Sequence, residues 1–455
     1  MRRIDLAGGA AWLRAALTEP AYGLAALRIA VVGILLITPE LHAAPSLAAT
    51  PERLVASPEG LGWLGGFHFT PELVTGVRVV AFSAGATALL GYWSRLSCAV
   101  LGLAATFLIS FSQRAGAVLH DMHLLWLLGL LAASPCGDVW SLDAWGHAEP
   151  APAPAYGLPL CFARLLLGVV YLFPGLHKLF RGGLGWGSAE HITAIAHAKW
   201  FQHGVLPSIR IDELPSWLLT LGGVSVLLFE LSFIVLALVP TTRLIALVLG
   251  LAFHLSTQLF LFIGFPSLWI CYVVLVPWQR LTARRAPAPT WTGSGLRLPR
   301  ASVATGLALF TAAAIAGARG QTQAFPFACY PTFADIPAKV APDLIVDLVQ
   351  ADGRIVRIER DFSENRTQQE WGHVYSLLGA YGSAGTDQQL GRFAYERSRA
   401  VGKGTTLERA ASVRLLVASY STLPSDWGRP PVTIRMLRQL EPSVVTRLAR
   451  SSGSQ

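Results

Sequence analysis

Charge is what this chain has least of: 14% of its 455 residues are Asp, Glu, Lys or Arg, against roughly 25% in an ordinary soluble domain. That shortage excludes a soluble protein over most of the length. Cysteine is scarce too. Cys98, Cys136, Cys161, Cys271 and Cys329 include no C-x-x-C pair, and four of them lie in or beside apolar segments. Neither a disulfide framework nor a zinc site can be drawn from them. Behind Arg2, Arg3 and Arg14 no small-residue cleavage site follows a short apolar core, so no removable signal peptide is expected.

What is present is apolar: 53% hydrophobic residues and a mean hydropathy of +0.48. The net charge of +9 does not imply a nucleic-acid partner, because the basic residues cluster between apolar segments as positive-inside bias produces. The expected fold class is an all-α polytopic membrane bundle of about eight or nine transmembrane helices, with a small C-terminal α+β extramembrane domain; each span needs about 20 residues. Apolar runs suited to spans lie near 22–40, 73–92, 97–113, 117–134, 158–178, 216–239, 243–262, 264–280 and 301–318. An interfacial amphipathic helix is expected over 1–20, the transmembrane core over 21–281 and a Pro/Gly/Ser/Thr linker over 282–300. A last span over 301–320 then leads to an α+β domain over 321–455. In that domain DLIVDLVQADGRIVRIERD (343–361) reads as a hairpin turning at Asp352-Gly353. Helices are expected near 365–381 and 386–400, and strands in SVRLLVASYSTL and PVTIRMLRQL. The domain shows no nucleophile motif, phosphate loop or metal spacing.

Arginine placement orients the bundle. The dense set (Arg2, Arg3, Arg14, Arg95, Arg243, Arg280, Arg284, Arg285, Arg297 and Arg300) belongs to the cytoplasm. The loops at 41–72 and 179–215 and the C-terminal domain then face outward, which in a bacterial inner membrane is the periplasm. Within the second loop, SAEHITAIAHAKWFQHG has helical spacing and reads as a helix on the outer rim.

Polar groups inside hydrocarbon are costly, so each one is a candidate for function. Arg28, Arg164 and Glu230 fall within spans, and Glu230 is expected to form a structural pair with an arginine. His254 has two readings, a hydrogen-bonded core histidine or a cavity wall. LHDMH (119–123) sets His120 and His123 one turn apart with Asp121 between them; a metal there needs a further ligand, for which His191, His197 and His203 are available. The stretch YLFPGLHKLFRGGLGW (171–186) ends an apolar run on His177 and Lys178. Lys178 either marks a membrane boundary or is a base at the membrane surface.

GLHKL with its following Trp resembles the lysine pair and tryptophan of vitamin K-dependent gamma-carboxylases and their bacterial relatives, the HTTM-domain proteins. HDMHLLWLLGLLAASPCGDVWSLD (120–143), FELSFIVLALVPTTR (229–243) and FHLSTQLFLFIGFP (253–266) are similar to further family segments in the same order. The resemblance covers roughly residues 20–280. It implies an enzyme acting on a reduced, vitamin K-like quinone, by quinol oxidation or epoxidation with or without coupled carboxylation. Lys178 matches the family's base, His120 matches a histidine of the carboxylation step, and His177 replaces the first lysine of the pair. Trp186, Trp200 and His254 are the residues assigned to hold the quinol ring. A free lysine is mostly protonated at pH 7; desolvation at an apolar rim, and a charged His177, would favour the neutral amine. No metal is assigned. The C-terminal domain does not match the carboxylases' lumenal region. Two other readings stand beside this one: a non-catalytic scaffold whose outer domain binds a periplasmic protein or peptide, and a metal-dependent membrane oxidoreductase.

Lys178 is expected to line a mainly apolar, outward-facing pocket on which His120 and His177 converge. Reporter fusions placed after Arg285 and after Gln455 are expected to be active on opposite sides of the membrane; activity on one side would remove the last span.

Overall fold

The computed structural model describes residues 17–49, 69–114, 120–282, 299–321, 324–327, 333–335, 337–359 and 386–440. The helix expected over 1–20 (apart from its last four residues), the linker at 284–295, the helix at 365–381 and Cys329 lie outside them. The membrane part comprises α1 (Tyr22–Ile37), α2 (Pro39–Ala48), α3 (Pro71–Leu90), α4 (Ser94–Arg114), α5 (Met122–Ala132), α6 (Pro154–Gly182), α7 (Ala189–His203), α8 (Ser216–Leu238), α9 (Arg243–Leu261) and α10 (Arg300–Arg319).

Local chemistry sets several of these ends. Thr70 caps α3 by accepting from Leu73 N, with Pro71 in the first turn. Ser188 caps α7 through His191 N, and Gly204 ends it in the left-handed region at φ 69°. The N-terminus of α4 is capped from a distance: Asp143 accepts from Trp93 N at 2.8 Å and Ser94 N at 2.7 Å.

Among the described residues, six helices are long and apolar enough to cross a membrane: α3, α4, α6 with its 3-10 extension, α8, α9 and α10. A seventh results if α1 and α2, bent by 41°, form one span. Eight or nine were expected, and the difference has a physical cause. The apolar run at 117–134 yields only the 11 residues of α5, a rise of about 16 Å against a hydrocarbon layer of about 30 Å. Nearly all of α5 is buried by its neighbours, so protein rather than lipid covers its apolar surface. The run at 264–280 breaks into a turn of helix at Pro266–Trp269 and a 3-10 stretch at Ile270–Leu275. Prolines at 266 and 277 bracket it, and Cys271, Tyr272, Val274 and Leu275 are buried against the bundle.

The C-terminal part is a four-stranded antiparallel sheet in the order β2-β1-β3-β4, with β1 Val340–Gln350, β2 Ile355–Ile358, β3 Ala410–Ser421 and β4 Thr433–Leu440. The hairpin turns at Asp352-Gly353, as its sequence indicates: Asp352 Oδ1 accepts from Arg354 N at 2.9 Å and Gly353 has φ 81°. The helix α11 (Thr386–Ala400) places Leu390, Phe393 and Ala394 in the sheet's apolar core. Phe201 of α7 belongs to that same core, so the sheet is seated on the bundle.

The buried arginines find their partners away from Glu230. Arg28 donates to the carbonyls of Cys136 and Trp140. Glu19 receives both Arg164 and Arg243 at 2.7 Å, and Arg164 Nε donates to Val274 O. The expected Glu230–arginine pair is therefore corrected.

Removing one partner of a buried pair strands the other charge, at about 3–5 kcal/mol; an exposed pair contributes about 1 kcal/mol or less. Glu19→Gln is therefore expected to lower the melting temperature in detergent strongly. Arg181→Ala, which breaks the exposed Arg181–Asp335 pair, is expected to change it little. Equal effects would show that Glu19 does not tie this end of the bundle together.

Candidate functional site

A cavity of about 500 Å³ opens between α5, α6, α7, α8 and α9 at the end of the bundle that carries the sheet. Its wall is mainly apolar, from residues such as Val169, Ile195, Leu219, Phe253 and Phe265. The polar groups are few: His120, His123, Tyr171, Lys178, Glu230, His254, Ser256 and Thr257.

Lys178 is 3% exposed and its ammonium is ion-paired with Glu230 of α8. Bare backbone brings the two helices together here, since a methyl on Gly175 would lie 3.0 Å from the Glu230 Cβ. The Lys178 Nζ also sits 4.8 Å from the centre of the Trp186 ring, a desolvated cation–π contact of about 2 kcal/mol. Trp186 is held by its Nε1–H, which donates to Phe333 O at 2.6 Å. Its 3-10 segment lies hard against α8: a methyl on Gly223 would meet Gly187 O at 2.6 Å. Glu230 Oε2 has no hydrogen-bond partner among the described residues.

The structure brings together four of the six residues that the sequence nominates. Lys178, His120, Trp186 and His254 line one cavity. His177 does not: its Nε2–H donates to Gly317 O at 2.9 Å, toward α10. Neighbouring helical residues point about 100° apart, and here Lys178 faces the cavity while His177 is turned to α10. Trp200 is buried one layer behind the wall, where its Nε1–H donates to Phe260 O at 2.6 Å. Both readings of His254 hold at once, since it is hydrogen-bonded and also part of the wall.

His120 stands 5.4 Å, ring to ring, from Phe265. Enclosure by protein pushes its imidazole down to about 4, so it is neutral at pH 7 although part of its surface borders the cavity. The histidines of α7 do not gather around His120 and His123. His191 packs at a tilt against Trp186, His197 bonds Asp212 at 3.0 Å and His203 packs on Phe262. Among the described residues no three His, Cys, Asp or Glu side chains form a group able to hold a metal.

Sequence reasoning missed three participants. Glu230 was noted as an intramembrane acid, but its partner is the base candidate itself. Tyr171 lies seven residues before Lys178, a spacing that puts both on one helical face, and that signal was legible. Lys199 of α7 lies 5.1 Å from the centre of Phe333, which lines the cavity. Burial pushes its ammonium down to about 8.

Gly223→Ala is expected to lift the Trp186 segment off α8 and expose the indole, read as a red-shifted tryptophan emission. Gly222→Ala, one residue away with open space around it, is expected to leave the spectrum unchanged. The same shift in both would dissociate Trp186 from the Gly187–Gly223 contact.

The family model of the HTTM domain matches residues 62–278, so this stretch is an HTTM domain. No curated protein and no solved structure matches the chain.

Proposed function

From an HTTM domain whose helices wall a greasy cavity, we propose that this membrane protein binds a reduced lipid quinone there and removes a proton from it with the Lys178–Glu230 pair. The observation that carries the reading is that pair, buried at the wall of an apolar cavity beside an indole ring. An exposed boundary lysine would need neither a carboxylate partner nor a tryptophan lid.

The proton balance follows from the pair acting as one unit. Lys178 and Glu230 share one proton between an amine and a carboxylate, so the pair is neutral whichever atom holds it. A proton taken from a quinol hydroxyl makes it ammonium plus neutral carboxyl, and the quinolate faces that ammonium at low dielectric. Net charge in the cavity stays at zero. Oxidation or epoxidation of the quinolate, with or without coupled carboxylation, is the reaction that the resemblance implies, and dioxygen would have to serve as its oxidant and oxygen source. Neutral His120 is available to exchange a proton with an intermediate. His177 and Trp200 take no part in this reading.

A lipid substrate also needs a lateral way in. On α8, Leu218 and Gly222 line the cavity and are exposed on the bundle surface, which supports entry from the side, at the level of the acyl chains. Orientation with the sheet-bearing end outside a bacterial inner membrane completes the proposal.

With purified protein in lipid nanodiscs, Lys178→Ala is expected to lower quinol-dependent turnover by about 100-fold or more, the usual size of a general-base contribution, while quinol binding weakens far less. Gly222 has open space where a Cβ would stand, and Gly222→Trp is expected to slow uptake of long-tailed quinols and spare tail-less ones. Turnover independent of Lys178, or no turnover in the wild type, would sink the proposed reaction.

A further inference from the structure

The cavity has a second polar group that proton removal at Lys178 does not use. His254 of α9 is 5% exposed, and its Nε2 lies 2.7 Å from the Tyr171 hydroxyl. Tyr171 is bonded in turn to the hydroxyl of Tyr272. The other imidazole nitrogen, Nδ1, has no partner among the described residues. Leaving a buried polar atom unpaired costs about 1–3 kcal/mol, and Phe229, Phe233, Phe253 and Phe265 pack around the group and supply no hydrogen bond.

We propose that His254, held by Tyr171 and Tyr272, forms a second pole of the cavity and binds the ring oxygen opposite the one that faces Lys178. The preferred ligand is then a ring with oxygens at both ends, as opposed to any phenol with a tail. The inference rests on the quinol reading above and adds to it a requirement for the second oxygen.

Placement supports it. Tyr171, which holds His254, and Lys178 both line the cavity from α6, two turns apart, a rise of roughly 10 Å, so the two polar groups stand at different levels of the chamber. Phe265 packs edge-on against His254 at 5.9 Å and against His120 at 5.4 Å, which leaves a flat ligand an aromatic side wall.

The triad also fits either oxidation state. A neutral imidazole has two tautomers. When Tyr171 donates to Nε2, the proton sits on Nδ1, and this N–H can donate a hydrogen bond to a quinone carbonyl. When Nε2–H donates to Tyr171, and Tyr171 to Tyr272, Nδ1 accepts from a quinol hydroxyl. The tyrosine pair thus holds the ring in place without fixing which way the hydrogen bond to the ligand runs. His254 is a binding and positioning residue here, and no bond to it forms or breaks.

The test compares two probes bound anaerobically to nanodisc-embedded protein: a long-tailed 1,4-naphthoquinol, and the 1-naphthol with the same tail that lacks the second oxygen. The wild type is expected to prefer the quinol by about tenfold, the size of one hydrogen bond. His254→Leu is expected to erase the preference by weakening the quinol alone, and Tyr171→Phe to reduce it at least threefold. Should the leucine variant fail to fold, the phenylalanine variant decides alone. Equal weakening of both probes, or an intact preference, would overturn the second pole while leaving the cavity reading standing. Failure of the wild type to bind either probe would overturn the cavity reading and the second pole together.

Discussion

A charged amine and a carboxylate, each about 95% buried beside an apolar chamber, constrain everything around them. Neither could be left alone at that depth without several kcal/mol of desolvation cost, so α6 and α8 must meet where they do. Their meeting requires a glycine on α6, and the tryptophan that covers the ammonium requires two bare backbones in contact at Gly187 and Gly223. The position of the 3-10 turn, the contact with α7 and the shape of the chamber all follow from keeping this pair together.

Such a pair is suited to chemistry on a neutral, greasy molecule. It carries no net charge, so it does not repel an uncharged ring, and the charge that appears on proton transfer is opposed by one already in contact. The rest of the wall provides few competing hydrogen bonds, and a ligand's orientation then depends on the handful of polar atoms available.

How much of this was legible in the sequence depended on whether the cause was local. The strands and the Asp352-Gly353 hairpin follow from alternation and turn chemistry within about twenty residues, and α7 follows from Ser188, Gly204 and the spacing between them. The span count was not legible because hydropathy reports apolar surface without saying what covers it; α5 is as apolar as a membrane helix and is buried by protein instead. At the cavity, Lys178, His120, Trp186 and His254 were named in advance through the resemblance of short segments. Glu230 was assigned the wrong partner because its true one lies 52 positions away, and no pattern within a helix encodes that meeting. His177 misled because its imidazole turns to Gly317 O on α10, a partner 140 positions away that no local pattern announces.

Phe201 has a mechanical consequence. It projects from the same α7 whose Ile192 and Ile195 wall the chamber, and it is anchored in the interior of the β-sheet. One helix thus serves two interiors at once: its Ile192 and Ile195 wall the chamber while its Phe201 fills the sheet's core, so a change of packing in either is felt in the other.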